Sequence, residues 1–269
     1  MKKQALALVA LICASNAHAA CSLDGQPPGT GTTYSPSVTS RTLAITTVHP
    51  NDIIILHAAL NAETGGSPSA ITSVAGGGLS WARRFQQQNT VVACYLGPND
   101  CRTDVEEWWA AAPVPLVSVT ITVNASVAAP AYASLLIWGV HGSSGFDANG
   151  SLPTPADDLS GSSTNIVVPG VSTTSSPDML FALADVFAAV EGNFFPPQSP
   201  LAQFNLVGQQ NIFISFGLSS ATANEALAAP VSGITVTWDT VHSYRNWLGV
   251  IDALVCTTGG AFPNVQINE

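Results

Sequence analysis

The chain has 269 residues, a formal net charge of −10, and only 9% charged against 46% hydrophobic residues. Its two lysines are Lys2 and Lys3, so nothing downstream offers the clustered cations that hold phosphates, which excludes nucleic acid and anionic membrane surfaces as electrostatic partners. Charges this sparse, against the usual ~25%, leave Ser, Thr, Asn, Gln and Gly to build the surface, a composition that suits an exported β-protein and denies helices their i,i+4 ion pairs.

Lys2 and Lys3 stand before an apolar run, residues 5–14, which ends in Ala17-His18-Ala19. Small residues at the −3 and −1 flanks make residues 1–19 a secretory signal peptide. The run is too short for the ~20 residues a bilayer span needs, and His18 stands where a lipobox has Leu, so export with cleavage is expected rather than anchoring. Cleavage removes both lysines and no acid, moving the charge from −10 to −12. The mature protein is then secreted, periplasmic or at the cell surface, with no membrane span.

Residues 20–36 are rich in Pro, Gly and Thr and read as an extended leader. A β-sandwich domain is expected over 37–256, with a C-terminal tail over 257–269. Within the domain, short apolar segments alternate with turn clusters. Residues 52–60 have the continuous apolar character of a buried strand, and Gly76-Gly77-Gly78 is a turn between 71–74 and 79–85. The segment 116–123 alternates most cleanly, with Val117, Val119, Ile121 and Val123 on one face. Further strands are expected at 90–95, 105–111, 133–141, 165–173, 178–187, 201–207, 211–218, 234–238 and 247–255. The stretch 150–164 reads as a long exposed loop. Residues 179–190 carry a competing helical stripe, but their neighbours favour a strand; 224–229 could form one helical turn. No sustained internal repeat is evident. Segments about ten residues apart with turns between them predict an all-β fold, a single antiparallel β-sandwich of jelly-roll type.

Cys13 leaves with the signal, and Cys21, Cys94, Cys101 and Cys256 remain, an even number suited to an oxidising compartment. The favoured pairing is Cys94–Cys101 across a turn-rich tip and Cys21–Cys256 tying the domain ends. No Cys-x-x-Cys or His-rich spacing supports a metal reading of these thiols.

Four segments, in order, resemble a diffuse group of exported bacterial and phage β-sandwich proteins, mostly of unknown function. Val105-Glu106-Glu107-Trp108-Trp109-Ala110 followed by 116–123 is similar to that group's "x-E-x-W-Y-A … V-T-V-T" pair. Residues 135–142 with Gly145-Phe146-Asp147-Ala148 resemble its "G-V" strand end and "F-D-A". Residues 167–174 with Ser176-Pro177-Asp178-Met179-Leu180 resemble "P-S-V-T-T … D-D-L-V", and 244–254 its closing strand. The resemblance spans roughly 37–256 and implies a jelly-roll-like sandwich with no assigned chemistry. The Cys94–Cys101 tip and the stretch 194–200 lie outside the pattern.

The sequence carries no Gly-x-Ser-x-Gly, His-Glu-x-x-His, Walker loop or dinucleotide fingerprint, so no catalytic residue is assigned. Glu106 and Glu107 are adjacent and point to opposite faces of a strand, so a glycosidase pair would need one of them with a distant acid such as Asp185 or Asp239. Trp109, Trp138 and Trp247 sit in apolar strands and are expected in the core. The outward Trp108, with Glu106 beside it, is the candidate for stacking a sugar ring. His49, His57, His141 and His242 are scattered without ligand spacing, and His57 reads as a hydrogen-bonded core residue. Asp147, Asn149, Asp157 and Asp158 gather oxygen donors on one loop, so calcium is the one cofactor the chain suggests. The expected function is a non-catalytic secreted or surface module that binds a glycan or an extracellular protein, a second copy included. A structural subunit of a fibre or virion, and a polysaccharide-acting hydrolase or lyase using paired carboxylates, are the alternatives.

Overall fold

The computed structural model describes residues 21–35, 39–62, 70–91, 101–126, 131–158, 165–175, 177–188, 204–213, 217–238 and 246–257. The expected signal peptide, Cys94 and the Cys94–Cys101 tip, His242, Asp239, the stretch 194–200 and nearly all of the C-terminal tail lie outside them. Among the described residues every regular element is a strand: β1 (Ser22–Ser35), β2 (Ser40–Ile45), β3 (Asp52–Ala62), β4 (Ile71–Gly76), β5 (Ala82–Val91), β6 (Cys101–Ala112), β7 (Val119–Ala125), β8 (Ala131–His141), β9 (Ser143–Phe146), β10 (Thr154–Asp158), β11 (Ile166–Val171), β12 (Asp178–Ala188), β13 (Asn205–Phe213), β14 (Gly217–Leu227), β15 (Ile234–Trp238) and β16 (Asn246–Cys256). All pairings are antiparallel. The all-β antiparallel sandwich expected from the sequence is present.

The sandwich is built twice. Strands β1 to β8 form an inner sheet ordered β1-β8-β3-β6-β5 and an outer sheet ordered β2-β7-β4. Pairing first with eighth, second with seventh and third with sixth is the winding of a jelly roll. Strands β9 to β16 repeat it, with an inner sheet ordered β10-β16-β12-β14-β13 and an outer pair β11-β15. Here β9 and β10, both on β16, share the place that β1 holds on β8. Among the described residues β4 has no counterpart in the second repeat.

The correspondence extends to single hydrogen bonds. Thr47 N–H donates to Leu116 O (2.8 Å) and Leu116 N–H to Thr47 Oγ1 (3.0 Å); Thr173 and Val231 make the same two bonds at 3.0 and 3.2 Å. Thr46 Oγ1 accepts from Ser118 N–H, and Ser172 Oγ from Gly233 N–H. Ser118 and Gly233 both have positive φ, 48° and 63°. Asp24 accepts from Val48 and His49 N–H at 2.9 and 2.7 Å, and Asp147 from Thr174 and Ser175 N–H at 2.9 and 2.8 Å. In each repeat a buried carboxylate, Asp24 on β1 and Asp147 just after β9, thereby clamps the turn between the second and third strands. The absence of an evident repeat in the sequence is corrected here: topology and backbone bonds are repeated, while few side chains are.

The four sheets stack as outer, inner, inner, outer. Ile54, Leu56, Ala58 and Leu60 of β3 pack with Leu43, Ile45, Ile121 and Val123 of the first outer sheet. The alternate residues Ile53 and Ile55 join Trp138, Met179, Phe181 and Leu254 in the seam between the inner sheets. Strand β12 mirrors this, sending Leu180, Ala182, Ala184 and Val186 to its own outer sheet. Both strands are covered on both faces, so neither alternates. Cys21 and Cys256 are joined across the seam with Cα atoms 5.1 Å apart, so the expected end-to-end tie exists and links one repeat to the other. No helix among the described residues is long and apolar enough to cross a membrane.

Several expectations are revised. The extended leader is β1, zipped to β8 in the first inner sheet. The loop expected over 150–164 contains β10, and the helical turn expected at 224–229 is largely β14. Val117 is 77% exposed, because the positive φ of Ser118 breaks the alternation and β7 begins only at Val119.

Candidate functional site

The face of β5 and β6 turned toward the first outer sheet brings Trp108, Glu106, Asp104, Arg83 and Gln86 together, because the register sets Arg83 opposite Trp108 and Gln86 opposite Glu106. Glu106 is 0% exposed. Its Oε1 accepts from Ile71 N–H at the start of β4 (2.7 Å) and from Gln86 Nε2 (3.3 Å), and its Oε2 accepts from Trp108 Nε1 (2.7 Å). Arg83 lies 3.6 Å from Glu106 and 5.9 Å from the Trp108 ring centroid. Burial, and then the neighbouring Glu106 carboxyl, push Asp104 up to about 9, so it is protonated at neutral pH. Trp108 is half-buried, with Trp81 packed on the same core cluster. Because the inner sheet is covered on both sides, Trp109 is also half-buried, against Phe146 in the seam. Trp138 and Trp247 are in the core as expected.

Neither glutamate is solvated. Glu107 faces the seam, where its Oε2 meets His57 Nε2 at 3.1 Å. Arg84, the bulge residue of β5, crosses the seam to Asp252 with bonds of 2.8 and 3.2 Å. Burial raises Glu107 and Asp252 to about 7 and lowers His57 to about 3, so the His57–Glu107 contact is a hydrogen bond rather than an ion pair at neutral pH. Asp185, also in the seam, accepts from Thr103 Oγ1 (3.3 Å) and is raised to about 8 by burial. Glu106 and Asp185 thus lie on opposite sides of the inner sheet and cannot flank one substrate.

Most of the oxygens expected to hold calcium accept hydrogen bonds within the fold. Asp147 spends both on Asn149, Thr174 and Ser175 N–H and on the Thr174 hydroxyl. Asn149 Oδ1 accepts from Ser151, and Asp157, on β10, accepts from Gln87 Nε2. Asp158 follows Asp157 on that strand and points to its other face. Among the described residues no three His, Cys, Asp or Glu side chains close around one ion.

Two histidines read as scattered are brought together. His49, in the turn before β3, and His141, at the end of β8, stack with ring centroids 4.3 Å apart and planes 25° apart. His49 Nδ1 meets Asp24 Oδ2 at 3.1 Å, and His141 Nδ1 meets Asp52 Oδ1 at 3.0 Å. Burial alone would raise Asp24, but the Asp52 carboxyl and the N–H groups of His49, Val48 and Gly25 outweigh it and hold Asp24 at about 2. Asp52 is raised to about 6, by burial first and by Asp24 next. Spacing of 92 residues between the histidines hid this pair; only the jelly-roll winding, which sets the start of the third strand beside the end of the eighth, makes them neighbours.

The fold and these clusters define a tandem jelly-roll β-sandwich. No protein-family model matches the chain, and neither the curated proteins nor the solved structures hold a match.

Proposed function

We propose that the protein is an exported, non-catalytic β-sandwich module that binds a glycan or an extracellular protein partner on its β5–β6 face. The observation that carries this reading is the Trp108 indole, half-buried and held by its Nε1–H on buried Glu106, with Arg83 and Gln86 beside it. A fixed aromatic plane flanked by hydrogen-bonding groups is the chemistry that takes a pyranose ring, and a Trp–Arg pair is equally a protein-binding anchor. Export is supported by the signal-like leader and by the Cys21–Cys256 pair. A glycan array on the mature protein, with and without calcium, tests the reading: binding that falls at least tenfold in Trp108→Ala supports it, and binding untouched by that variant contradicts it.

A second reading is favoured by the sheet edges. Strands β5 and β13 end the two inner sheets, and a terminal strand is a template for another chain. A mass that rises with concentration, with no glycan bound, would favour a structural subunit of an extracellular assembly.

A further inference from the structure

Each inner sheet is guarded at one end and open at the other. Among the described residues β1 and β5 end the first inner sheet, and β10 and β13 the second. Proteins blunt a terminal strand with proline, charge, brevity or a break in register. β1 carries Pro27 and Pro28 where its pairing with β8 shifts, between Asp24 and Gly29. β10 and β9, which share one side of β16, have five and four residues, with Pro155, Asp157 and Asp158 in β10. β5 and β13 are longer, at ten and nine residues. Each has one bulge, at Arg84 and at Val207, and then runs in register to its end, over 85–91 and 208–213. Those runs, FQQQNTV and GQQNIF, hold no proline and no charged residue.

The two open runs are also alike in sequence. Counted from the bulges, Phe85 corresponds to Gly208. The neighbouring strands agree, since Glu107 and Thr222 stand opposite these two, and His57 and Leu183 stand opposite Glu107 and Thr222 in turn. Gln86, Gln87 and Gln88 therefore occupy the places of Gln209, Gln210 and Asn211. Few other side chains recur between the repeats, and a role inside the fold does not account for these. Gln86 Nε2 donates to Asp104 and Glu106, whereas the second repeat has Ser219 and Ala221 at those two positions. A primary amide carries donor and acceptor together and no charge, so rows of amides on adjacent strands bond to one another.

We propose that β5 and β13 are docking edges for a second copy of this chain, whose own open edge adds to the inner sheet as one more strand. The proposal rests on the second reading above, a structural subunit of an extracellular assembly, and names its contact. Charge favours these edges over the rest of the surface: two chains of net charge −10 repel overall, and the runs 85–91 and 208–213 set no charge of their own against the partner. Gln87 of β5 bonds to Asp157 of β10, and β13 lies against β1, so the two open edges stand on opposite sides of the stacked inner sheets. A copy added at one edge leaves the other available, and contacts of this kind continue rather than close.

Light scattering of the mature protein tests this, with Gln88→Lys/Asn211→Lys as the variant, since one lysine on each run supplies the guard that the other edges have. The parent's average mass should rise roughly twofold or more between about 1 and 100 µM, while the double variant stays monomeric. Thr42→Lys/Val167→Lys puts the same charge on exposed positions of the outer sheets and should grow as the parent does. Hydrogen exchange of the parent needs no variant: backbone amides of 85–91 and 208–213 should slow as concentration rises. A parent that stays monomeric would overturn the proposal and the second reading with it. A parent that grows with neither run slowed, or with the edge variant growing equally, would overturn the proposal alone and leave that reading to another surface. Growth lost in the outer-sheet variant as well would also overturn it, by tracing the loss to added charge.

Discussion

The first and second jelly rolls share a scaffold and differ in what is mounted on it. Clamp, turn and strand order recur as Asp24/Asp147, Thr47/Thr173, Ser118/Gly233 and the pairing of third strand with sixth and eighth. Equivalent core sites are filled by different apolar residues: Leu43 opposite Ile121 in one repeat, Val168 opposite Val236 in the other. What recurs is thus the set of groups that satisfy buried backbone donors, because an unpaired buried N–H costs more than a changed methyl. What differs, the histidine pair and the Trp108 face, is where specialised chemistry has room to vary.

Removing the clamp should give effects among the largest and tests the equivalence most severely. Asp24→Ala and Asp147→Ala each remove three part-buried backbone N–H bonds, and each should destabilise by about 2–3 kcal/mol in urea titrations. Costs that differ severalfold would break the comparison. Replacing Cys21 and Cys256 by Ala releases the tie between repeats and should cost about 2–4 kcal/mol, read as a lower Tm in the same assay; an unchanged Tm would mean the seam holds without it.

The buried acids, three in the seam and Asp104 on the β5–β6 face, sharpen the comparison through pH. Glu107 and Asp252 at about 7, Asp185 at about 8 and Asp104 at about 9 all lie above the ordinary carboxylate range, chiefly through burial. The folded protein therefore holds protons that the unfolded chain has released. Their contribution is complete below about pH 4 and is lost as pH rises through 7 to 9. His57, lowered to about 3, acts oppositely, its contribution fading as pH falls below 6.5. One histidine does not offset four acids, so Tm should fall by about 5 °C or more between pH 5.5 and 8.5. Glu107→Gln should flatten that slope; a Tm that climbs over this range would contradict the burial of these acids.

The smallest effect is at the turn before β7. Ser118 sits at φ 48° where the second repeat has Gly233 at 63°. Ser118→Gly should relieve left-handed strain and stabilise by about 0.5–1 kcal/mol, net of the entropy a glycine adds to the unfolded chain.

Much of this fold was legible in the sequence. Most strand segments, the Gly76-Gly77-Gly78 turn, the Cys21–Cys256 tie and the opposite faces of Glu106 and Glu107 follow from patterning, turn chemistry and cysteine placement, whereas the strands expected at 201–207 and 211–218 are replaced by β13 and β14, whose polar Gln and Asn residues hide the pairing. Strand 52–60 read as buried because its apolar residues, broken only by His57 after Asp52, do not alternate with polar ones, and the structure covers it on both faces. The duplication was not legible, since Asp24, Thr47, Asp147 and Thr173 look like ordinary loop residues until their backbone partners are known. The site was half legible: Trp108 and Glu106 are neighbours on one strand face, which spacing gives. His49 with His141, and Arg84 with Asp252, are joined only by sheet winding and stacking, which no local pattern encodes.

Native-state hydrogen exchange tests most directly the claim that two jelly rolls stack through their inner sheets. Backbone amides of 53–60 and 179–186 should exchange last and together, because β3 and β12 alone run through the middle of both inner sheets with a layer on either side. Amides there exchanging as fast as those of β2 and β11, in the outer layers, would contradict it.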